Sequence, residues 1–235
     1  MTRDMEPYYD DGTCVIYHGD CREILPTLDP VPLVLTDPPY GIPAGAAFVR
    51  LKSTVIVDDG DAVHNVEVDG WRELVAFTDD AWFVEFGRNG PAPMAAMVAG
   101  HESVGFVAWR WYLIVKQAPP PTPRPTFVSA WEAALCSYKG IRVWHGTGYV
   151  PDRWIGMTPN RTGNGVHPTQ KPIEPLTQLI GALSRDDATV LDPFMGSGTT
   201  LRAAKDLGRK AIGVEVDERY CEIAAKRLAQ EVLAL

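Results

Sequence analysis

Short apolar runs alternate with amphipathic stretches along most of this 235-residue chain, the pattern of strands interleaved with helices. The segment "GTCVIYHGDCREILPTL" predicts a strand over 14–17, a turn, and a helix of one to two turns. "VPLVLTDPPY" predicts a buried strand that stops abruptly, because proline cannot donate to a ladder and restricts the residue before it. Residues 41–70 are weakly periodic and rich in Gly, Asp and Ala, which predicts a long loop of the functional or mobile kind. "VDGWRELVAF" predicts a short amphipathic helix, "AWFVEFG" a strand, "PAPMAAMVAGHE" a helix opening on proline, and "FVAWRWYLIVKQ" one or two buried strands. The proline-rich "APPPTPRPTF" suits only an extended connector, "AWEAALCSYKG" resumes an apolar strand, and 140–166 has no clear period.

The last third is regular. "KPIEPLTQLIGAL" predicts a helix with Pro172 near its start, and "ATVLDPFMGSG" a strand running into a glycine turn. "TTLRAAKDLG" predicts a helix closed by Gly208, "KAIGVEVD" a strand, and "ERYCEIAAKRLAQEVL" a terminal helix. Together these elements predict the α/β class: a doubly wound, mostly parallel sheet in a single domain, 1–235, with about 117–166 as an insertion or small lobe.

Composition adds limits rather than direction. With 46% hydrophobic and 22% charged residues the chain is of ordinary globular type. No apolar run reaches the roughly 18 residues of a bilayer span, and the acidic N-terminus is unlike a signal peptide, so the cytoplasm is expected. Cys14, Cys21, Cys136 and Cys221 are scattered and the five histidines dispersed, which predicts free thiols and no metal site. The net charge of −8 conceals a gradient: −11 over 1–80, +4 over 81–175 and −1 over 176–235. A polyanion could therefore sit on the middle third, although ordinary solvated charge would look the same.

"VLDPFMGSGTT" followed by "IGVEVD" carries the first chemistry. A strand enters Gly196-Ser197-Gly198, a helix follows, and a second strand ends at Glu215. Glycines let a ligand approach the backbone, and a carboxylate about 20 residues on accepts from ribose hydroxyls. There is neither the Gly-Lys-Thr/Ser of a triphosphate loop nor the third glycine of the dinucleotide fingerprint. A nucleoside cofactor without phosphates fits, and S-adenosylmethionine is one.

"DPPY" together with "DPFMGSGTT" resembles the amino-group DNA methyltransferases, which act on adenine N6 or cytosine N4. "DPPY" comes first, "HPTQKP" later and the cofactor loop last, similar to the circularly permuted β-class arrangement of that Rossmann-like, S-adenosylmethionine-dependent fold. "YHGDCREIL" resembles the family's acidic segment at the cofactor adenine, and "RPTFVSAWEAALCSYKG" its later core strand. The resemblance implies that Asp37 and the Pro38 carbonyl accept the N–H groups of the target amine. Pro39 stiffens the turn, and Tyr40 faces a base that has left the duplex. It implies that Asp20 and the Cys21 backbone meet the cofactor adenine and Glu215 its ribose. Thr169, Lys171 and the loop of Phe194, Gly196, Ser197, Gly198 and Thr199 would hold the methionine end beside Asp37. Asp192 would orient that loop, and His18 and His167 would be polar scaffold. Asp20 also suits a helix N-cap, Thr169 a cap and Lys171 a solvated surface. Within the basic middle third, Arg142, Arg153 and Arg161 are the expected contacts to double-stranded DNA in a short target-recognition region.

Rival readings differ in specific features. Cytosine N4 is the nearest, since "SPPY" more often accompanies it and "DPPY" adenine. RNA and protein methyltransferases usually carry "NPPY" after the cofactor loop, and a silent subunit would have lost "DPPY" or "GSG". The resemblance implies no metal and leaves open a homodimer and a restriction endonuclease partner.

Overall fold

The computed structural model describes residues 6–39, 70–87, 91–117, 130–157 and 171–230. Nine strands in these segments form a single sheet: β1 (Tyr9–Asp10), β2 (Cys14–His18), β3 (Val31–Thr36), β4 (Phe77–Gly87), β5 (Val107–Lys116), β6 (Trp131–Lys139), β7 (Arg153–Gly156), β8 (Thr189–Asp192) and β9 (Lys210–Glu215). Five helices accompany them: α1 (Cys21–Ile24), α2 (Pro91–Ser103), α3 (Ile173–Leu183), α4 (Thr199–Asp206) and α5 (Glu218–Ala229). The spatial order is β1-β2-β9-β8-β3-β4-β6-β5-β7. From β2 to β4 every pairing is parallel, whereas β4–β6 and β6–β5 are antiparallel.

The central strands are apolar on both faces because both faces are covered. In β3, Leu33 and Leu35 join one core with Leu176, Leu179, Ile180 and Leu201 from α3 and α4, while Val34 joins another with Ile24, Trp71, Phe83 and Phe106. Helix α3 buries Leu176, Leu179, Ile180 and Leu183, one stripe at three-to-four-residue spacing. Glycine is required where α4 meets the sheet. A Cβ on Gly213 of β9 would lie 2.5 Å from Met195 Sδ and 2.8 Å from Leu201, so the helix could not seat at its present depth.

Three expectations need correction. The helix predicted over "VDGWRELVAF" is only a 3₁₀ turn at Arg72–Leu74, and Phe77 already belongs to β4. The Phe77 ring packs on Phe83 at 5.6 Å and Phe106 at 4.6 Å, so tertiary aromatic contacts override the local period. Of the one or two strands expected over "FVAWRWYLIVKQ" there is one, as allowed, but the span read as irregular contributes β7 at the sheet edge. Both β6 and β7, from within the span 117–166, belong to the main sheet. The long loop expected over 41–70 falls almost wholly outside the described residues, as does most of the proline connector.

Among the described residues no helix is long and apolar enough to cross a membrane, and no group of three or more His, Cys, Asp or Glu side chains could hold a metal ion. All four cysteines are free and buried, and burial pushes the Cys14, Cys136 and Cys221 thiols up to about 12, which makes them poor nucleophiles.

Candidate functional site

After β8 the chain continues to β9, its neighbour on one side. After β3 it reaches β4, the neighbour on the other. The adjacent pair β8 and β3 is therefore a topological switch point, where open α/β sheets place their ligand crevice beyond the carboxyl ends. Asp37 follows β3 there, and the glycine turn follows β8. Their bases are joined: the Thr36 hydroxyl donates to Asp192 Oδ1 over 2.7 Å, and the Phe194 N–H donates to the same oxygen over 3.1 Å. Two motifs far apart in the chain share one carboxylate.

Asp192 is 3% exposed. Burial pushes its carboxyl up to about 6; hydrogen bonds from Thr200, Thr36 and the Phe194 N–H oppose the rise, and the nearby Asp37 charge adds to it. It orients the turn, the role expected of it.

Beside the glycine turn several of the singled-out residues meet. Glu215 accepts the Gly196 N–H at 3.0 Å and the Asp217 N–H at 2.9 Å, and burial pushes its carboxyl up despite these donors. The Gly19 N–H donates to the Glu215 carbonyl at 3.0 Å, which brings Asp20 and Cys21 to the same edge. Gly198 has φ +75°, and a Cβ there would lie 2.8 Å from Ala224, so conformation and space both demand glycine. Phe194 and Gly196 keep exposed surface, whereas Ser197 and Thr199 are buried; the Thr199 hydroxyl accepts from Arg227 at 3.0 Å. Phe194 meets Trp71 edge-on at 5.2 Å. Asp20 is the N-cap of α1, accepting the Arg22 N–H at 2.9 Å, and the Arg22 guanidinium holds its carboxyl below the usual range. The cap alternative is thus realised alongside any ligand role. His18 lies 3.1 Å from the Val216 carbonyl, a scaffold contact.

On the target side Lys171 pairs with Asp37 and stands 3.3 Å from Glu132 Oε2 and 5.0 Å over the Phe86 ring. Glu132 in turn meets Lys116 at 2.5 Å. Burial alone would push the Lys171 ammonium down, but Asp37 and Glu132 outweigh it and the net direction is up. Pro38 is buried and Pro39 partly so. Tyr40, Thr169, Arg161 and His167 lie outside the described residues.

Sequence reasoning missed Glu132, Lys116, Thr36 and Trp71. Only Glu132 left a trace, as the one acid in an apolar strand.

Arg142 is not brought to this edge, whereas Arg153 pairs with Leu113, whose partner on β6 is Ala133, and so lies level with the neighbour of Glu132 on the outermost strand. Arg142 stacks on Trp109 at 4.8 Å and Tyr138 at 5.9 Å, near the far end of β6, roughly 20 Å from Glu132 at ordinary strand rise. A cavity of about 380 Å³ lies there, lined by Trp109, Trp111, Trp144, Tyr149 and Arg142. Ser137, His101 and Glu85 form a hydrogen-bonded row at 2.8 and 3.2 Å in the order nucleophile, base, acid. All three are at most 1% exposed, so the row fixes α2 to the sheet and reaches no substrate.

The chain is similar to known proteins in sequence and fold. Residues 142–226 match the DNA methylase family of N6 and N4 enzymes. The chain is 27% identical to the Type II methyltransferase M2.LlaDCHI of Lactococcus lactis subsp. cremoris, over 95% of this chain and 92% of that protein. It superposes on the M1.HpyAVI–SAM complex with a TM-score of 0.71 and 26% identity, over 92% of this chain and all of the other. The cytosine-N4-specific PvuII DNA methyltransferase shares the fold, with a TM-score of 0.69 at 18% identity over 98% and 92% of the two chains.

Proposed function

We propose that this chain is an amino-group DNA methyltransferase that transfers the methyl group of S-adenosylmethionine to the exocyclic N6 of adenine in DNA. The observation that carries the proposal is the joining of the Asp37 turn to the glycine turn through Thr36 and Asp192 at the β8–β3 crevice. The order of the motifs, Asp37 turn first, supports the permuted arrangement.

The residues present fit the cofactor. Glu215 offers an acceptor to a ribose diol, Phe194 a ring face and Gly196 an approachable backbone. Asp20 and the Cys21 backbone are proposed at the adenine, with Ser197, Gly198 and Thr199 shaping the loop and Thr169 completing the methionine end. When bound, S-adenosylmethionine supplies a methyl group on a positively charged sulfur.

The protein supplies acceptors and order. An exocyclic amine is a weak nucleophile because its lone pair is delocalised into the ring. The Asp37 carboxylate and the Pro38 carbonyl accept its two N–H groups and localise that lone pair. Because Pro38 and Pro39 fix the turn, these acceptors need no reorganisation at the moment of reaction. Tyr40 is the proposed platform for a base extruded from the duplex. Lys171 compensates the negative charge of Asp37 until the amine arrives.

The fold alone does not choose the amine, since the PvuII enzyme acts on cytosine N4. The adenine assignment rests on the "DPPY" form of the motif. Incubating the purified protein with labelled S-adenosylmethionine and unmethylated genomic DNA, then identifying the modified nucleoside by mass spectrometry, tests it. N6-methyladenine is expected; N4-methylcytosine would overturn the assignment of the base, and no label in DNA the whole reading.

A further inference from the structure

Lys171 has two anionic neighbours, and only one of them belongs to the expected catalytic motif. Its ammonium touches Asp37 Oδ2, an oxygen that the target amine requires as acceptor, and lies 3.3 Å from Glu132 Oε2. Its side chain is 14% exposed and the Phe86 ring backs it at 5.0 Å, so it cannot simply swing into water. Glu132 stands on β6 and is itself anchored by Lys116 at 2.5 Å. Four side chains from four segments thus alternate in sign: Asp37, Lys171, Glu132, Lys116.

We propose that Glu132 is a positioning residue, a second seat for the Lys171 ammonium that lets it leave Asp37 without leaving the site. An ammonium fixed on Asp37 would compete with the substrate amine for the same lone pairs. A lysine with nowhere else to go would hold that contact, because withdrawing it alone into a poorly solvated crevice is costly. With Glu132 beside it the ammonium moves between carboxylates, keeps a counter-charge throughout, and vacates Asp37 when the base enters. Lys116 anchors Glu132 in place, so the seat exists before the lysine needs it. The catalytic half of this inference rests on the proposed methyl transfer; the two-seat arrangement does not.

Two measurements separate these parts. In the first, purified full-length protein is pulsed with acetic anhydride and Lys171 acylation is followed by mass spectrometry, with circular dichroism confirming the fold of every variant. Asp37→Asn is expected to leave Lys171 protected to within about threefold of wild type, because Glu132 still holds it. The Asp37→Asn/Glu132→Gln pair is expected to raise acylation by about tenfold or more, beyond the product of the single effects. Full exposure by Asp37→Asn alone would overturn the second seat. In the second, single-turnover methylation and DNA affinity are compared. Glu132→Gln is expected to slow the transfer about tenfold with DNA affinity unchanged, and Glu132→Asp to restore part of the rate. The slowing should vanish in a Lys171→Met background, because there is then no ammonium to relocate. An equal slowing in that background, or none in wild type, would overturn the positioning role. If wild type transfers no methyl to DNA, the functional reading fails while the acylation result still decides whether Lys171 has two seats.

Discussion

The two flanks of the β8–β3 crevice are built differently. On the cofactor flank, β8, β9 and β2 are parallel and short, and each ends in a residue fixed by backbone hydrogen bonds: Asp192 by Phe194, Glu215 by Gly196 and Asp217, Gly19 by Glu215. On the target flank, β4, β6 and β5 turn antiparallel, and the surface beyond them exposes Val107, Ile141, Trp144, Tyr149, Ile155 and Met157. On the proposed function, the first flank holds a ligand that is the same in every turnover, so a rigid local motif suffices. The second would meet a long polyanion and one base within it, with side chains drawn from distant segments. Asp37 stands where the two meet.

The largest effect expected is therefore at Asp37. Asp37→Ala should lower methyl transfer by about 10²–10³-fold or more, since it removes an acceptor aimed at the reacting amine. Cofactor affinity, set by the other flank, should survive. Single-turnover rates beside calorimetric titration with S-adenosylmethionine measure both. Turnover within a few-fold of wild type would erase the distinction between the flanks.

Asp192 tests how the flanks are joined. Its carboxyl, pushed up to about 6 in the fold, titrates near 3.8 when unfolded. Between those values the folded state holds the extra proton. The stabilisation this group contributes is thus complete below about pH 3.8 and is lost as pH rises through about 6, a change on the order of 3 kcal/mol. Asp192→Asn cannot titrate. From pH 4 to pH 7 the unfolding free energy of wild type should fall relative to the Asn variant by that amount, read from urea denaturation at each pH. A gap that does not vary with pH would mean that Asp192 is ionised throughout.

Glu215 should come next. Glu215→Gln removes the charge of the proposed ribose acceptor, which is worth about 1.5–3 kcal/mol, or roughly 10- to 100-fold in cofactor affinity. DNA binding measured without cofactor should not move. If S-adenosylmethionine binds the variant as tightly as wild type, Glu215 serves only to brace Gly196 and Asp217.

The same contrast explains what was legible in the sequence. The cofactor flank could be read closely because each of its signals is local: an apolar run, a glycine turn, an amphipathic helix, then an acid at the next strand end. Even the N-cap reading of Asp20 needed only its own neighbours. The target flank yielded less. Residues 68–77 looked helical because Trp71 and Val75 are both buried at helical spacing, but Phe77 is claimed by aromatic partners on β4 and after α2. β7 went unseen because a four-residue edge strand with exposed Arg153 and Ile155 has no hydrophobic period to find. Glu132 read as an acid on a strand because its meaning depends on Lys171 from another segment. Charge was the least specific guide: it picked out Arg142 and Arg153 from a regional excess that says nothing about which edge they occupy.

Those arginines give the smallest effect and the sharpest test of the target flank. Arg142 lies against Trp109 and Tyr138, away from Asp37, and Arg153 opens the edge strand, so neither is placed to read the reacting base. Any DNA contact they make is with flanking phosphates. Replacing both by Gln should then weaken binding about equally for all sequences and lower the salt slope by about 2, since each neutralised phosphate accounts for about 0.9 of it. Cofactor affinity and the single-turnover rate at saturating DNA should stay as in wild type. Loss of the stacked contact on Trp109 should cost at most about 1 kcal/mol of stability at an exposed site, so a melting curve separates a folding defect from a binding one. A salt slope equal to wild type would show that the duplex reaches neither arginine. The aromatic cavity beside Arg142 would then belong to some other contact.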